Sequence, residues 1–531
     1  MSHSRRRATQ LRAPIDRRRF LQLAGGAAGI TLISQLSATS VHATPRFRNY
    51  PFTLGVASGD PFDDSVVLWT RLAPDPLNGG GMPKEHVLVR WELAADENFR
   101  RVLRQGTEIA SPALGHSVHA TVNGLGPYRT YWYRFKVGNE ISPVGRTQTM
   151  PTPAMSPSRL RFAFASCQNY SQGYYNAYAA MAEEDLDLVI HLGDYIYESV
   201  SRPGSVRQHE DDGEPLDVVG YRNRYAQYRL DPHLQATHAA FPWITTWDDH
   251  EVDNDYANNI SQDFEDPAAF LDRRAAAYQV YYEMMPLRET SLPIGPDMRI
   301  YRRFQFGRLA EFNVLDTRQY RDDQACPTPE RGGGRVVDIT ECPEIFDPTR
   351  TLLGREQEQW LLDGLGQSQA QWNVLAQQVL FATLEQNLGP GRSYWTDGWS
   401  GYWPSRQRII DRIAAQQPSN PIIITGDIHT SWVNDILVDF ANPHSQVVAT
   451  EFTGTSISSN GSNFALPYLV ENPHVKYHEW RYRGYVRCEV NQQLWRTDFR
   501  HVDSVQEPGA PVRTDASWVV EDGQPGAQRD S

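Results

Sequence analysis

The stretch "LVIHLGDYIYE", residues 188–198, decides how this chain folds. An apolar, strand-like run passes straight into Gly193 and Asp194, with Tyr197 three residues further on. Gly and Asp are ordinary turn residues, so one such ending needs only turn chemistry. The same ending also fits a tip that presents oxygen ligands, because open α/β sheets bind ligands at the carboxyl ends of their strands. The endings of the other strands decide between the two.

Apolar runs downstream of residue 158 repeatedly end in side chains that carry chemistry. "RLRFAFASC" ends at Cys167, "LDLVIHLGD" at Asp194, and "FPWITTWDDHE" at Asp248, Asp249 and His250. "LAEFNVLDTRQYR" ends at Asp316 and Arg318, and "PIIITGDIH" at Asp427 and His429. Taken singly, Cys167 reads as a buried structural thiol and "DDHEVDND" (248–255) as a solvated acidic face. That acidic run lacks the glycine and terminal glutamate of an EF-hand loop. Asp427 and His429 stand at i and i+2, so an extended segment points both to one side. Together the endings exceed what turn chemistry explains. Clustered carboxylates repel one another unless cations offset their charge. A metal centre is the economical reading. Oxygen donors suit hard cations such as calcium or manganese, whereas thiolate, phenolate and imidazole suit iron. One carboxylate shared between two ions, Asp194 by its central place, would hold a pair at the spacing of two-metal phosphotransfer sites.

Around these tips, from about residue 159 to 505, strands alternate with amphipathic helical patterns such as "DPAAFLDRRAAAYQVYYEMM" and "GREQEQWLLDGL". That texture predicts a layered α/β domain. Residues 46–150 read instead as all-β: "SVVLWTRL", "VLVRWELA", "HSVHATVNGL" and "TYWYRFKVG" alternate with near period two between Gly, Pro, Asn and Asp. A small immunoglobulin or fibronectin type III-like sandwich fits that spacing. "PTPAMSPS" (151–158) reads as a linker, and residues 506–531, polar and rich in Gly and Pro, as a loose C-terminal tail. A chain of 531 residues is expected to divide in this way.

The formal charge is −13, but residues 1–43 hold seven Arg, no Lys and one acid, Asp16. Without them, 44 basic residues face 63 acidic ones, a charge of −19. So acidic a chain should repel nucleic acid and anionic membrane surfaces. "DRRRFLQLAGGAAGITL" followed by "VHA" reads as a twin-arginine signal peptide, an address for cargo exported folded. Its apolar run is too short and too Gly/Ser-interrupted for a membrane anchor. A secreted, periplasmic or cell-wall-associated protein is therefore expected, with the twin-arginine machinery as partner and a monomer as its form. Cys326 and Cys342 flank a loop-like insertion and could form a disulfide outside the cytoplasm. Cys488, in the alternating "YVRCEV", reads as a small buried apolar residue.

These motifs resemble a known family. "GDYIYE" matches the GDxxY of purple acid phosphatases, "DDHE" takes the place of their GNHE, and "GDIH" parallels their GHxH. Asp249 replaces the asparagine and Asp427 the first histidine, while Cys167 stands where the first strand normally offers aspartate. With "GVASGDP", "VLWTRL", "FASCQNY" and "WDDHEVDNDY", this pattern is similar to that of the alkaline phosphatase D (PhoD-like) family. The resemblance implies a calcineurin-like core of four α/β/β/α layers and a site holding Fe³⁺ and Ca²⁺, the latter more than once. Carried over by position, it implies Cys167, Asp194, Tyr197 and His429 as iron ligands. It implies Asp194, Asp249 and Asp427 for calcium, with Glu451 as a weaker further ligand. "NVLAQQVLF" offers only Gln377 and Gln378 where purple acid phosphatases have another histidine, which favours calcium over zinc.

The expected reaction is hydrolysis of a phosphate mono- or diester by a metal-activated hydroxide. His250 is the candidate for protonating the leaving group or stabilising the transition state. Arg318 would either hold phosphate as a bidentate partner or form a structural salt bridge with Asp316 or a neighbour. A phospholipase D-type diesterase is the rival within the enzyme class. An exported calcium-stabilised binding protein is the rival outside it, although such a protein has no use for Cys167, Tyr197 and His429.

Overall fold

The computed structural model describes residues 47–210, 213–461 and 466–530. The signal peptide expected at residues 1–43 lies outside the described residues. Two large sheets dominate. In the ten-stranded sheet, Leu160–Ala165, Leu188–His191 and Pro242–Thr245 run parallel side by side. In the seven-stranded sheet, Ala310–Val314, Trp372–Ala376, Pro421–Thr425 and Val447–Thr453 do the same.

The strand at the heart of the opening motif shows why these runs are apolar throughout. Leu188 and Ile190 enter a core shared with Phe312, Val374, Ile422 and Ile424 of the other sheet. Val189 faces the opposite way, into a core with Tyr178, Tyr225 and Tyr278 from helices. Ile423 likewise turns away from its neighbours to meet Leu361, Ile409 and Ile413. A strand covered on both faces reads as a continuous hydrophobic run rather than an alternating one. Each Ile or Leu so buried contributes about 1.5–3 kcal/mol. The helices are bounded by local chemistry. Pro267–Met284 starts at Asp266, whose carboxylate accepts the N–H groups of Ala268 and Ala269, and Pro267 occupies the first turn, where its missing N–H is harmless.

The N-terminal all-β region is present, but its strands are divided between two sheets. Val87–Ala94, Val102–Ala110, Thr130–Val137, Glu140–Ile141 and Gly145–Gln148 form a sheet of their own. Val56–Gly59, Val66–Arg71 and Ser117–Val122 instead extend the ten-stranded sheet, with Ser58 and Gly59 pairing in parallel to Pro242 and Trp243. The two sets share a core of Val66, Leu68, Val89, Leu93, Tyr133 and Phe135. The strand Pro242–Thr245 would otherwise present an open edge, which proteins avoid.

Residues 506–531 depart from the loose tail expected of them. Val512–Glu521 and Gln524–Arg529 form the outermost hairpin of the ten-stranded sheet. Ala516, Trp518 and Val520, spaced by two, point into the shared core with Ala527. Cys326 and Cys342 form a disulfide, and Cys488 is buried.

Candidate metal centre

The parallel strands of both sheets deliver their carboxyl ends to one edge. At that edge the backbone turns sharply. Cys167, Asp194, Asp427 and His429 have φ values of +59°, +56°, +62° and +59°. Non-glycine residues avoid this left-handed region, at a cost of order 1–3 kcal/mol each. Tertiary contacts hold the strained tips. Cys167 N–H donates to Gly193 O at 3.1 Å, and Gln168 N–H to Asp194 O at 3.1 Å. The Glu251 carboxylate accepts the N–H groups of Asp194, Tyr195 and Asp248 at 3.1, 2.6 and 2.8 Å. Gly193 has φ +115°, and a Cβ there would lie 2.5 Å from Asp248. Only glycine fits that approach.

The tips assemble two sets of ligand atoms. Cys167, Asp194 and His429 offer ligand atoms all within 4.8 Å of one another, and so do Asp194, Asp249 and His250. Asp194 belongs to both. Tyr197 joins the first set, its Oη 2.9 Å from Asp194 Oδ2 and 3.0 Å from His429 Nε2. His429 Nδ1 bonds to Asn460 O at 2.8 Å, which turns Nε2 toward the cluster. Asp427 is in neither set, but its strongest charged neighbours are Asp248, Arg318 and Asp249, beside the second.

The electrostatics of these groups test whether cations fit. Asp194 is buried, and its Oδ1 has no hydrogen-bond partner among the described residues. Burial, then Asp249, Asp248 and Glu251, push its carboxyl well above the usual range, with His250 opposing. Burial and Asp248 do the same to Asp427, and burial and Asp194 raise the Cys167 thiol. Burial and Arg483 push His429 down to about 4, which keeps its imidazole neutral and able to ligate near pH 7. Burial raises the Asp249 carboxyl, but Arg318 and His250 outweigh it and hold the group below its usual range. A buried carboxylate with a bare oxygen at the meeting point of two donor sets is where a cation inverts the local balance. The residues fit metal ions.

Arg318 lies fully buried beneath the second set. It bonds Asp248 at 2.5 Å and Asp397 at 2.9 Å, with Asp249 3.8 Å away. Of the alternatives for this residue, the geometry matches the salt bridge, though with Asp248 and Asp397 as partners; Asp316 accepts only its backbone N–H. Glu451 is committed elsewhere. Its carboxylate accepts from Phe381 N–H, Ala382 N–H, Thr425 Oγ1 and Asn434 Nδ2, and this removes it as a calcium ligand. Gln377 and Gln378 are also engaged, bonding Thr425 and Thr317 among others. Sequence reasoning missed Glu198, Glu251 and Asp397. The first two stand inside the motifs already quoted, "GDYIYE" and "DDHE", and their acidity was the available signal. Asp397 sits in a loop with no pattern of its own.

Comparison with known proteins places the chain in a family and a fold. The model of the PhoD-like phosphatase family matches residues 162–499, and that of its N-terminal domain matches residues 37–151. The chain is 52% identical over 528 residues to alkaline phosphatase D of Bacillus subtilis (strain 168), covering 97% of this chain and 89% of that one. It superposes on a solved structure described as "Structure of PhoD" with a TM-score of 0.87 at 53% identity, covering 92% of this chain and 93% of that one.

Proposed function

The chain belongs to the PhoD-like phosphatase family, and from that premise we propose an exported phosphoesterase that holds Fe³⁺ and Ca²⁺ around a shared Asp194. The observation that carries the reading is the double membership of Asp194, with its bare, buried Oδ1. Cys167, Tyr197 and His429 supply the thiolate, phenolate and imidazole that suit ferric iron. Asp249 and Asp427 supply the oxygen donors that suit calcium. The catalytic part is read as a four-layer α/β/β/α core that begins at residue 159 and takes in the C-terminal hairpin of residues 512–529, preceded by an all-β region.

When bound, the ions would neutralise charge on the phosphoryl oxygens and make an attacking water more acidic. The chain's own residues do the rest. His250, at the rim with its side chain 16% exposed, donates a proton to the leaving oxygen. Arg318 acts as a positioning residue, its ion pairs holding Asp248 and Asp249 at their strand tip. The twin-arginine signal directs export of a monomer, and the disulfide Cys326–Cys342 suits an oxidising compartment. No helix among the described residues is long and apolar enough to cross a membrane.

The test is turnover of nitrophenyl phosphate against bis-nitrophenyl phosphate by metal-replete protein. Hydrolysis of either, abolished by chelation and lost in Asp194→Asn, supports the reading. The ratio assigns monoester or diester preference, and with it the place of the phospholipase D-type alternative. A protein that binds calcium yet hydrolyses neither ester contradicts the proposal.

A further inference from the structure

Glu198 is the last residue of "GDYIYE" and has no part in the ligand sets above, yet it is buried at 2% exposure beside the proposed proton donor. Its Oε2 lies 2.7 Å from His250 Nδ1, and its Oε1 accepts the N–H of Asn254 at 3.0 Å. The segment that carries it is fixed from behind by Arg224, a fully buried guanidinium that donates to Glu198 O at 2.7 Å and to Tyr197 O. The His250 ring packs on the Tyr197 ring with centroids 4.0 Å apart. Two contacts thus set both the plane and the rotation of the imidazole. With Nδ1 committed to Glu198, Nε2 is the nitrogen left for the site.

We propose that Glu198 is the positioning residue of the reaction: it holds His250 with Nδ1–H directed at its carboxylate and Nε2–H directed at the leaving oxygen. A carboxylate behind a histidine fixes tautomer and orientation and stabilises the imidazolium. In the step itself the bond between phosphorus and the leaving oxygen breaks, and its electron pair stays on that oxygen. That oxygen takes the Nε2 proton. The attacking water forms the new P–O bond, and the proton it releases restores His250 through solvent. This inference rests on the proposed phosphoesterase activity.

The experiment uses metal-replete protein and two substrates, nitrophenyl phosphate with its good leaving group and an alkyl phosphate with a poor one. Glu198→Ala and His250→Ala should each lower kcat on the alkyl ester by about 100-fold or more, the usual worth of a placed proton donor. The nitrophenyl ester should lose less than about 10-fold, since its leaving group needs little protonation. In Glu198→Ala, KM and metal content should hold, and the double variant should be no slower than either single one. Glu198→Gln, which keeps an acceptor of the same size without the charge, should fall between wild type and Glu198→Ala. Equal losses on both esters, loss of bound metal, or independent effects in the double variant would overturn the role of Glu198. Wild-type protein inert toward both esters would instead sink the phosphoesterase reading on which it rests.

Discussion

Breaking the Cys326–Cys342 disulfide should loosen the metal centre from outside. The bridge closes a loop with a sequence separation of 16, which constrains the unfolded chain by about 3 kcal/mol. Besides the bridge, the insertion is held mainly by backbone hydrogen bonds, such as Gly332 N–H to Gln262 O at 2.7 Å and Ile339 N–H to Arg392 O at 3.0 Å, over a small apolar patch. Its buried set is Ala325, Val337, Cys342 and Ile345, and among the described residues its strand Val336–Asp338 pairs only with Ser393–Trp395. A patch that small does not hold its shape without a staple. The insertion nevertheless leans on the acid loop: Gly334 N–H donates to Asp255 Oδ2 at 2.9 Å, and Asp255 N–H donates to Asp249 Oδ2 at 2.7 Å. Losing that chain of bonds removes a net contribution of about 1 kcal/mol at the ligand carboxylate, or roughly fivefold in cation affinity. In the double variant Cys326→Ala/Cys342→Ala, limited proteolysis should cut first between residues 326 and 342. Calorimetric titration should show calcium binding weakened about fivefold. Unchanged protease resistance together with unchanged calcium affinity would refute the reasoning.

Acid should destabilise the chain through its buried histidines. His119 stacks on Tyr282, bonds Leu287 O through Nδ1, and is pushed down to about 4 by burial, against which that bond works. The folded state then binds fewer protons than the unfolded state between pH 6.5 and about 4, so stability falls as pH falls through that window, by roughly 3 kcal/mol at its lower end. Denaturant titrations across that range should show a shallower slope for His119→Gln, and an identical slope would count against the assignment. At the sheet edge, Trp518→Ala should cost about 3–5 kcal/mol in unfolding free energy, since the indole is 6% exposed in the shared core. A loss below about 1 kcal/mol would mean the hairpin is dispensable, as for surface positions.

Much of this was legible before the structure. The strand tips at Cys167, Asp194, Asp249 and His429 announce themselves because a reactive side chain after an unbroken apolar run is hard to explain otherwise. The positive φ values at Cys167, Asp194, Asp427 and His429 were not legible: Asp and His enter that region more readily than most residues, but tertiary contacts rather than residue type decide which of them do. The C-terminal hairpin was misread because Gly523, Pro525 and Gly526 outweighed the alternation of Ala516, Trp518 and Val520, although that period-two pattern was present. Glu451 lies within the strand Val447–Thr453 rather than at its tip, and the four donors around it show that it is occupied. Asp397 was out of reach, because what brings it to Arg318 is tertiary contact alone.

The central claim is that Asp194 is shared by two different cations. Its most direct test is elemental analysis and visible absorption of protein exported from its native host, compared with Asp194→Asn, Tyr197→Phe and Cys167→Ala variants. The account predicts about one iron per chain with calcium in excess, and a coloured protein whose band bleaches in the Tyr197 and Cys167 variants. Both metals should leave together in Asp194→Asn. Colourless, iron-free protein that still hydrolyses phosphate esters, or an Asp194→Asn variant that keeps either metal at full occupancy, would contradict it.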